Sequence, residues 1–307
     1  MNHARSVALA VLLSSLIALT ASFYWPVQEA YHPLDTGWDG CSRIYNSTKN
    51  KELVLDYRQP LLPQSSMLAI IGPATGFSTA EVRVIEEYLS AGGIVLLADD
   101  FGTGNSLLQG LNVSARFSGR PLGDLLFYSR TKSFPLIVNF SKSIITTNIS
   151  RIVMNHPSYL EISDPDAIST LAWSSAFSFI DLSDSQRPLV NATLGSYPVM
   201  AYTKIGSGII VMVSDPGVFI NEMIDLYDNS KLFGNLQRLS GESVLFDVAH
   251  LANSPLSIER LRLKLGIDSF RALLTSKQAV YLELLIAIGV IIGFSLEIVR
   301  RVNKHRI

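Results

Sequence analysis

The chain has 307 residues, of which 48% are hydrophobic and 17% charged, and its 25 basic and 26 acidic side chains give a formal net charge of −1. This balance argues against a nucleic-acid-binding surface, and the apolar content excludes a disordered chain. Cys41 is the single cysteine, so neither an internal disulfide nor a cysteine-based metal cage can form. A positive mean hydropathy of +0.29 indicates membrane segments instead.

The N-terminal segment is free of charged side chains from residue 6 to residue 25 and ends in the aromatic run Phe23–Trp25. About twenty apolar residues cross a hydrocarbon core of about 30 Å, and aromatic side chains favour its interface with water. The pattern predicts a transmembrane helix over residues 6–25, after a cytoplasmic tail of residues 1–5. The alternative is a cleaved signal peptide, because Thr20 and Ser22 are small enough for a cleavage site.

The next clear pattern predicts a strand, a helix and a second strand. Met67–Ile71 and Ile94–Ala98 are continuous apolar runs, which are typical of strands buried on both faces. Ser78 and Glu81 form a capping box at the start of the intervening helix, and Gly92–Gly93 ends it. Short connections of this kind form a right-handed βαβ unit, so we expect a parallel sheet.

The chain changes character over residues 115–200, where short apolar stretches and no long helical period predict a β-rich, loop-rich insertion. A hairpin over residues 199–213 follows, because two apolar strands flank Gly206–Gly208. We expect a helix over Phe219–Leu239 and a last strand over Ser243–Asp247.

The C-terminal region predicts a second transmembrane helix over residues 279–299, followed by the basic tail of residues 300–307. Basic tails at both ends satisfy the positive-inside rule when both termini are cytoplasmic, which places residues 26–277 outside the plasma membrane. Basic side chains within residues 260–277 weaken this charge asymmetry. Residues 256–274 predict either an amphipathic connector along the membrane or a packed helix of the domain.

Asn-x-Ser/Thr sequons within residues 26–277 support an extracytoplasmic location, because each is a possible glycosylation site there. They begin at Asn46, Asn112, Asn139, Asn148 and Asn191.

The predicted strand ends supply the candidate binding site, because open parallel sheets bind ligands where the loops diverge at the carboxyl ends of their strands. These ends carry Gly72, Thr75, Asp99, Asp100, Asn105, Asp215 and Asn221. The candidate ligand-binding residues are Asp99, Asp100, Asn105, Asp215 and Asn221. The alternative is structural, because Asp and Asn after a strand commonly cap a helix or form a turn.

The residues at the predicted strand ends give little support for a metal site. Asp99, Asp100 and Asp215 could supply oxygen ligands to a divalent cation, but they are scattered along the chain. His250 follows Asp247 closely and is either one half of a metal pair or a structural histidine. We predict neither a bound metal nor a cofactor.

Several stretches resemble the domain-of-unknown-function family 4350, over about half of the chain. The resemblance rests on Ser78–Gly93, the hairpin Gly206–Asp215, Asn221 with Asp228–Asn229, and Phe246–Asp247. It implies a membrane protein of archaea or bacteria, most consistent here with an archaeal one, with a glutamine-amidotransferase-like (flavodoxin-like) α/β domain. It also implies a wall- or envelope-related role, sometimes beside a MoxR-type ATPase.

Amidotransferase chemistry requires a Cys nucleophile on a tight strand-to-helix turn, with a His base and a carboxylate. Cys41 precedes every predicted strand and no nucleophile elbow surrounds it. His32, His156 and His250 lack catalytic spacing. We therefore predict no catalytic residues.

These observations lead to one functional hypothesis and one alternative. The hypothesis is a flavodoxin-like α/β domain with a parallel sheet and a β-rich insertion, flanked by two transmembrane helices, that binds other membrane or envelope proteins without catalysis. The alternative is a small-ligand receptor or hydrolase that uses Asp99, Asp100 and Asp215.

Overall fold

The computed structural model describes residues 13–14, 27–58, 61, 66–180, 192–251, 261–262 and 266. The chain divides into two compact units. One unit, Trp25–Ser254, contains every strand given below. The other comprises Met1–Tyr24 and Pro255–Ile307, of which residues 13–14, 261–262 and 266 are helical.

An eight-stranded sheet forms the centre of the larger unit. Counted across the sheet, the first five strands run parallel to one another, and each of the last three runs antiparallel to the strand before it. In spatial order the strands are β1 (Asn50–Val54), β15 (Ser243–Asp247), β2 (Met67–Ile71), β3 (Ile94–Ala98), β14 (Gly208–Val213), β13 (Pro198–Ile205), β10 (Ser169–Trp173) and β7 (Asn139–Phe140). Every residue of β2 and β3 is buried, as expected for strands covered on both faces.

Helices cover both faces of this sheet. Those of the described residues are α1 (Ser42–Ser47), α2 (Thr79–Ser90), α3 (Asn105–Gly110) and α4 (Asn229–Leu239), with a 3-10 helix at Pro216–Phe219. Alternate side chains of β2 enter different cores: Leu68 packs in the cluster that contains α2 and α3, whereas Ala69 packs in the cluster that contains α1 and α4. The result is a helix–sheet–helix sandwich.

Three small sheets fill the region between α3 and β13. They are β4 (Ala115–Phe117) with β9 (Leu160–Ile162), β6 (Leu136–Ile137) with β8 (Ile152–Val153), and β5 (Leu122–Asp124) with β11 (Ser178–Ile180) and β12 (Thr193–Gly195). All the pairings within them are antiparallel. Residues 115–200 are β-rich, but two of their strands, β7 and β10, belong to the central sheet and not to an insertion.

Most predicted elements are confirmed, and one helix is shorter than expected. The strands at β2, β3 and β15, the capping box of α2 and the β13–β14 hairpin are all present. The helix predicted over Phe219–Leu239 begins only at Asn229. The side-chain amide of Asn221 binds the carbonyl oxygens of Asp35 and Gly37, and Tyr227 adopts a positive φ of 50°, so the chain before α4 cannot continue as a helix.

The predicted fold class is wrong on two points. The sheet is mixed and not parallel, because the tight turn at Gly206–Ser207 reverses the chain and places β13 antiparallel to β14. In addition, none of the helices in the described residues combines the length and the apolar character needed to cross a membrane. This finding overturns the predicted transmembrane helices and the predicted localisation in the plasma membrane with two spans. The segments proposed as spans, residues 6–25 and 279–299, lie outside the described residues except for residues 13–14.

The contact between α2 and β14 gives a test of this packing. A Cβ atom at Gly208 would lie 2.3 Å from the carbonyl oxygen of Gly93 and 2.5 Å from that of Leu89. Because both obstacles are backbone atoms, we expect Gly208→Ala to lower the free energy of unfolding by about 1–3 kcal/mol in urea titrations. The control is Gly195→Ala, where the nearest atom is 3.6 Å away. Equal losses in the two variants would contradict the predicted close contact.

Candidate functional site

The carboxyl ends of β2, β3, β14 and β15 lie along one edge of the sheet, which we call the rim. The residues at or just after these ends are Gly72, Asp99, Asp100, Asp215 and Asp247. The structure therefore brings the three predicted carboxylates, Asp99, Asp100 and Asp215, to the same edge. Whether they form a binding site depends on which groups already donate hydrogen bonds to each carboxylate.

Tyr31 reaches the rim from the loop that precedes α1. Its ring lies against Gly72, where a Cβ atom would be 2.1 Å from a ring carbon. Both residues have a positive φ of 62°, and the backbone N–H of Tyr31 donates to the carbonyl oxygen of Asp39 at 2.8 Å. Burial raises the pKa of Tyr31, and the charges of Asp100 and Asp215 raise it further. The phenol consequently stays protonated beside the carboxylates.

Asp99 is a turn residue. Its carboxylate accepts the backbone N–H of Phe101 at 3.1 Å and that of Gly104 at 2.7 Å. Burial raises the pKa of Asp99, and these N–H donors act in the opposite direction. The side chain shapes the loop between β3 and α3 and is fully buried.

Asp215 connects the insertion to the sheet. Its carboxylate accepts the backbone N–H of Asn155 at 2.6 Å and that of Gly217 at 2.7 Å, the second of which caps the 3-10 helix. Burial raises the pKa of Asp215 well above its usual range, and the charge of Asp100 adds to this effect. With no accessible surface, the carboxylate cannot reach a ligand in solution.

The side-chain amides of Asn105 and Asn221 also form hydrogen bonds with backbone groups. Asn105 exchanges two hydrogen bonds with Phe117, at 2.8 and 2.9 Å. Asn221 accepts the N–H of Arg43 at 2.9 Å and donates to the carbonyl of Gly37 at 2.6 Å. In both residues the polar atoms proposed for ligand binding hold distant segments of the chain together.

Asp100 differs from the other candidates. Asp100 is half-buried, whereas Asp99 and Asp215 are buried. Burial together with the charge of Asp99 raises the pKa of Asp100 to about 6. The next residue, Phe101, is 82% exposed. Of the three predicted carboxylates at the rim, Asp100 is therefore the one that is not buried.

A second polar cluster lies at the end of β15 and centres on His250. Its Nδ1 is 3.1 Å from Oδ2 of Asp247, and its Nε2 is 3.6 Å from Glu81. The other oxygen of Asp247, Oδ1, accepts the hydroxyl of Tyr57 at 3.0 Å. The Phe77 ring stacks on the imidazole at a centroid distance of 3.7 Å. The sequence spacing indicated the pair with Asp247, but Tyr57 and Glu81 are distant in sequence and could not be predicted.

Cys41 is a core residue in this structure. It is fully buried, its backbone N–H donates to the carbonyl of His32 at 3.0 Å, and it belongs to the cluster that contains α1. Burial raises the pKa of the Cys41 thiol, and the charges of Asp35 and Asp39 add to the effect. The thiolate needed for nucleophilic attack is thus strongly disfavoured.

The sequons and possible metal ligands can be located as well. Asn191 lies outside the described residues. The other four sequon residues, Asn46, Asn112, Asn139 and Asn148, are exposed, and their glycosylation stays a prediction. Within the described ranges, His, Cys, Asp and Glu side chains form no group of three or more suited to a metal ion.

The fold and rim define a class: an α/β domain with a mixed sheet, in which most of the polar side chains at the strand ends serve turns and loops. The chain belongs to the family described as "Domain of unknown function (DUF4350)", whose model matches residues 33–236. The resemblance seen in the sequence is thereby confirmed at the level of the family.

Comparison with known proteins adds few further constraints. No curated protein matches the chain. Among solved structures, the mmIFT52 N-terminal domain is similar with 18% identity and a TM-score of 0.45, over 57% of this chain and 77% of that one. A β-galactosidase from Bacillus circulans sp. alkalophilus is similar with 12% identity and a TM-score of 0.35, over 58% of this chain and 23% of that one. An exo-β-1,4-mannosidase, Op5Man5, from Opitutaceae bacterium strain TAV5 gives 12% identity and a TM-score of 0.30, over 61% and 26%.

The His250 cluster predicts a pH dependence of stability. Burial lowers the pKa of His250, but the hydrogen bond and charge of Asp247, with a contribution from Glu81, raise it on balance. A raised folded-state pKa stabilises the fold below the unfolded value of about 6.5, and this contribution is lost as pH rises through the folded pKa. The difference in unfolding free energy between the native chain and His250→Gln should therefore shrink as pH rises above about 6.5 and through the folded-state pKa of His250.

The matched control is His156→Gln, because His156 is exposed and its imidazole contacts neutral groups, the side chain of Asn155 at 2.8 Å and the edge of the Phe134 ring. Urea titrations of the three proteins across this range provide the measurement. A difference for His250→Gln that grows with pH would contradict the assignment of a charged imidazole.

Proposed function

We propose that the chain is a non-catalytic protein-binding module. The observation that supports the proposal is an apolar sheet face turned toward solvent. Exposed apolar patches on a folded domain commonly mark sites of protein association. The family resemblance suggests wall- or envelope-associated proteins as partners.

The exposed face belongs to the three-stranded sheet of β5, β11 and β12. Residues directly opposite one another in antiparallel strands share a face, and Phe179 lies opposite both Gly123 and Leu194. Phe177 lies two residues before Phe179, and its carbonyl accepts the N–H of Leu125 at 3.1 Å. We call Leu125, Phe127, Phe177 and Leu194 the apolar face; Phe179 itself is only 8% exposed and packs against Gly123.

This sheet leaves apolar side chains on its outer side. Antiparallel sheets commonly pack an apolar face on the core and present a polar face to water. Here the inner face carries the core residues Leu122 and Ile180 together with the buried Asp124 and Ser178, whereas Phe127, Phe177 and Leu194 are 41%, 47% and 58% exposed. A partner that covered the apolar face would remove this surface from water.

The rim supports a non-catalytic role. Asp99 and Asp215 are occupied by backbone donors, and Cys41 lies in the core. A catalytic carboxylate or thiol needs access to its substrate, which these three groups lack.

Substitution on the apolar face tests the proposal. Full-length tagged protein and its Phe127→Ser/Leu194→Ser variant would be purified from the native host, and the captured proteins quantified by mass spectrometry. We expect the variant to lose the specific partner by about tenfold or more, because hydrophobic contacts dominate such interfaces. Ile144→Ser is the control, since Ile144 is 67% exposed but lies beside α4. Equal capture by all three proteins would reject the module.

A second candidate function, small-ligand binding at the rim, is favoured by Asp100 alone. Its half-buried carboxylate has a pKa of about 6, its charge acts on the phenol of Tyr31, and the exposed ring of Phe101 follows it in the chain. A carboxylate next to aromatic groups suits a cationic or hydroxylated small molecule.

A thermal-shift screen of small amines and sugars tests this second function. A true ligand should raise the melting temperature of the native chain, and Asp100→Asn should abolish the shift. For an amine, the shift should also weaken as pH falls below about 6, because the carboxylate then loses its charge. The control is Asp166→Asn on the exposed surface. A shift that persists in Asp100→Asn would exclude this carboxylate as the binding group.

A further inference from the structure

We propose that His250 is a pH-sensitive latch: its protonated imidazole fastens the loop between β2 and α2 to the segment that follows β15, and loss of the proton releases the loop. We call residues 73–78 the latch loop. It belongs to the rim, because it follows Gly72 at the carboxyl end of β2. The inference goes beyond the protein-binding function, since it concerns how the fold itself responds to pH. Two sets of contacts carry it, one made by the backbone of His250 and the other by its imidazole.

The backbone of His250 holds the start of the latch loop. Its carbonyl oxygen accepts the backbone N–H of Ala74 at 2.7 Å and that of Thr75 at 3.2 Å, and the hydroxyl of Thr75 donates to the same oxygen at 3.5 Å. The preceding residue, Ala249, donates its N–H to the carbonyl of Val54 in β1 at 3.2 Å. The latch loop is thereby attached to a segment that is itself bound to the sheet.

The imidazole of His250 holds the other end of the latch loop. Its Nε2 lies 3.6 Å from Oε1 of Glu81 in α2, and Oε2 of the same carboxylate accepts the N–H and the hydroxyl of Ser78 at 2.7 and 2.6 Å. The ring of Phe77 stacks on the imidazole, and the N–H of Phe77 donates to Ser106 Oγ at 2.9 Å. A single histidine therefore contacts both ends of the loop.

The charge of the imidazole decides the strength of the side-chain contact. Among the described residues, the titratable groups that face it are Asp247 of β15, Glu81 of α2 and Tyr57, which follows β1. The latch loop contains no charged residue. Burial raises the pKa of Tyr57 well above its usual range, and Asp247 adds to this effect, so the phenol stays neutral. A protonated imidazole bridges the two carboxylates, whereas a neutral one leaves them without a compensating cation.

The direction of the response follows from the pKa of His250. Burial lowers this pKa, but Asp247 and Glu81 raise it on balance above the ordinary value. Opening of the latch loop exposes the imidazole to water, and its pKa then returns towards about 6.5. The latch is consequently at full strength below about pH 6.5 and weakens as pH rises through the pKa of the closed form. A rise in pH should therefore loosen the latch loop while the sheet stays folded.

Amide hydrogen exchange of the full-length chain, measured by mass spectrometry from about pH 5.5 upward, tests the latch. After correction for intrinsic exchange rates, we expect exchange in the latch loop to increase about tenfold or more as His250 loses its proton, because a hydrogen-bonded ion pair is lost. Exchange in α4, which packs on the other face of the sheet, is the internal control. His250→Gln should abolish the pH dependence, and His156→Gln should retain it.

Glu81→Gln provides a second variant, because Gln can keep the capping box with Ser78 while it removes one of the two carboxylates. The pH at which the latch loop opens should then fall, since one cause of the raised pKa of His250 is lost. This variant tests the latch even where His250→Gln does not fold. Loop exchange that is independent of pH, a pH dependence that persists in His250→Gln, or an unchanged midpoint in Glu81→Gln would overturn the latch. An equal increase in α4 would also overturn it, because the whole domain would then be opening.

Discussion

Both faces of β2 and β3 must be shielded from water, because every residue of these two central strands is buried. Helices and insertion strands on both sides provide this cover, and the two cores share no side chain across the sheet. A sheet covered on both faces leaves only its ends and edges for loops. The rim, with its concentration of polar residues, is therefore a consequence of burying the two strands.

Buried carboxylates recur in this fold, and they share one physical solution. Asp99, Asp215 and Asp124 each accept hydrogen bonds from backbone N–H groups. Removing a carboxylate from water is costly, and charge-assisted hydrogen bonds offset that cost only when several donors converge. Each of these side chains consequently fixes a loop conformation. The same donors leave little carboxylate surface for a ligand, which explains why residues at a typical binding position perform structural work here.

Local patterns in the sequence predicted local structure well. The capping box of Ser78 and Glu81 and the apolar runs of β2 and β3 depend on residues within one element, so their periodicity is visible in the chain. The antiparallel strands β10 and β7 join the sheet through pairings between distant parts of the chain, and the rim bonds depend on segments such as Asn155 and Asp215 that are far apart in sequence. The prediction of transmembrane helices rested on the long apolar runs of residues 6–25 and 279–299 and on their aromatic and basic flanks, and these runs lie outside the described residues except for residues 13–14.

The apolar face escaped the sequence analysis for a further reason. Strands of three residues, such as β5 and β12, are too short for an alternating pattern to stand out, and their facing direction is set by partners in β11. Asp124 illustrates the point, since an acidic residue in a strand ordinarily faces water. Here its carboxylate accepts the hydroxyls of Ser175 and Ser178 and the backbone N–H groups of Leu126 and Phe127, which keeps it inside and fixes the turn that carries Phe127. The exposure of Phe127 and Phe177 is thus built into the fold by a buried polar group, which distinguishes this surface from a chance scatter of apolar side chains.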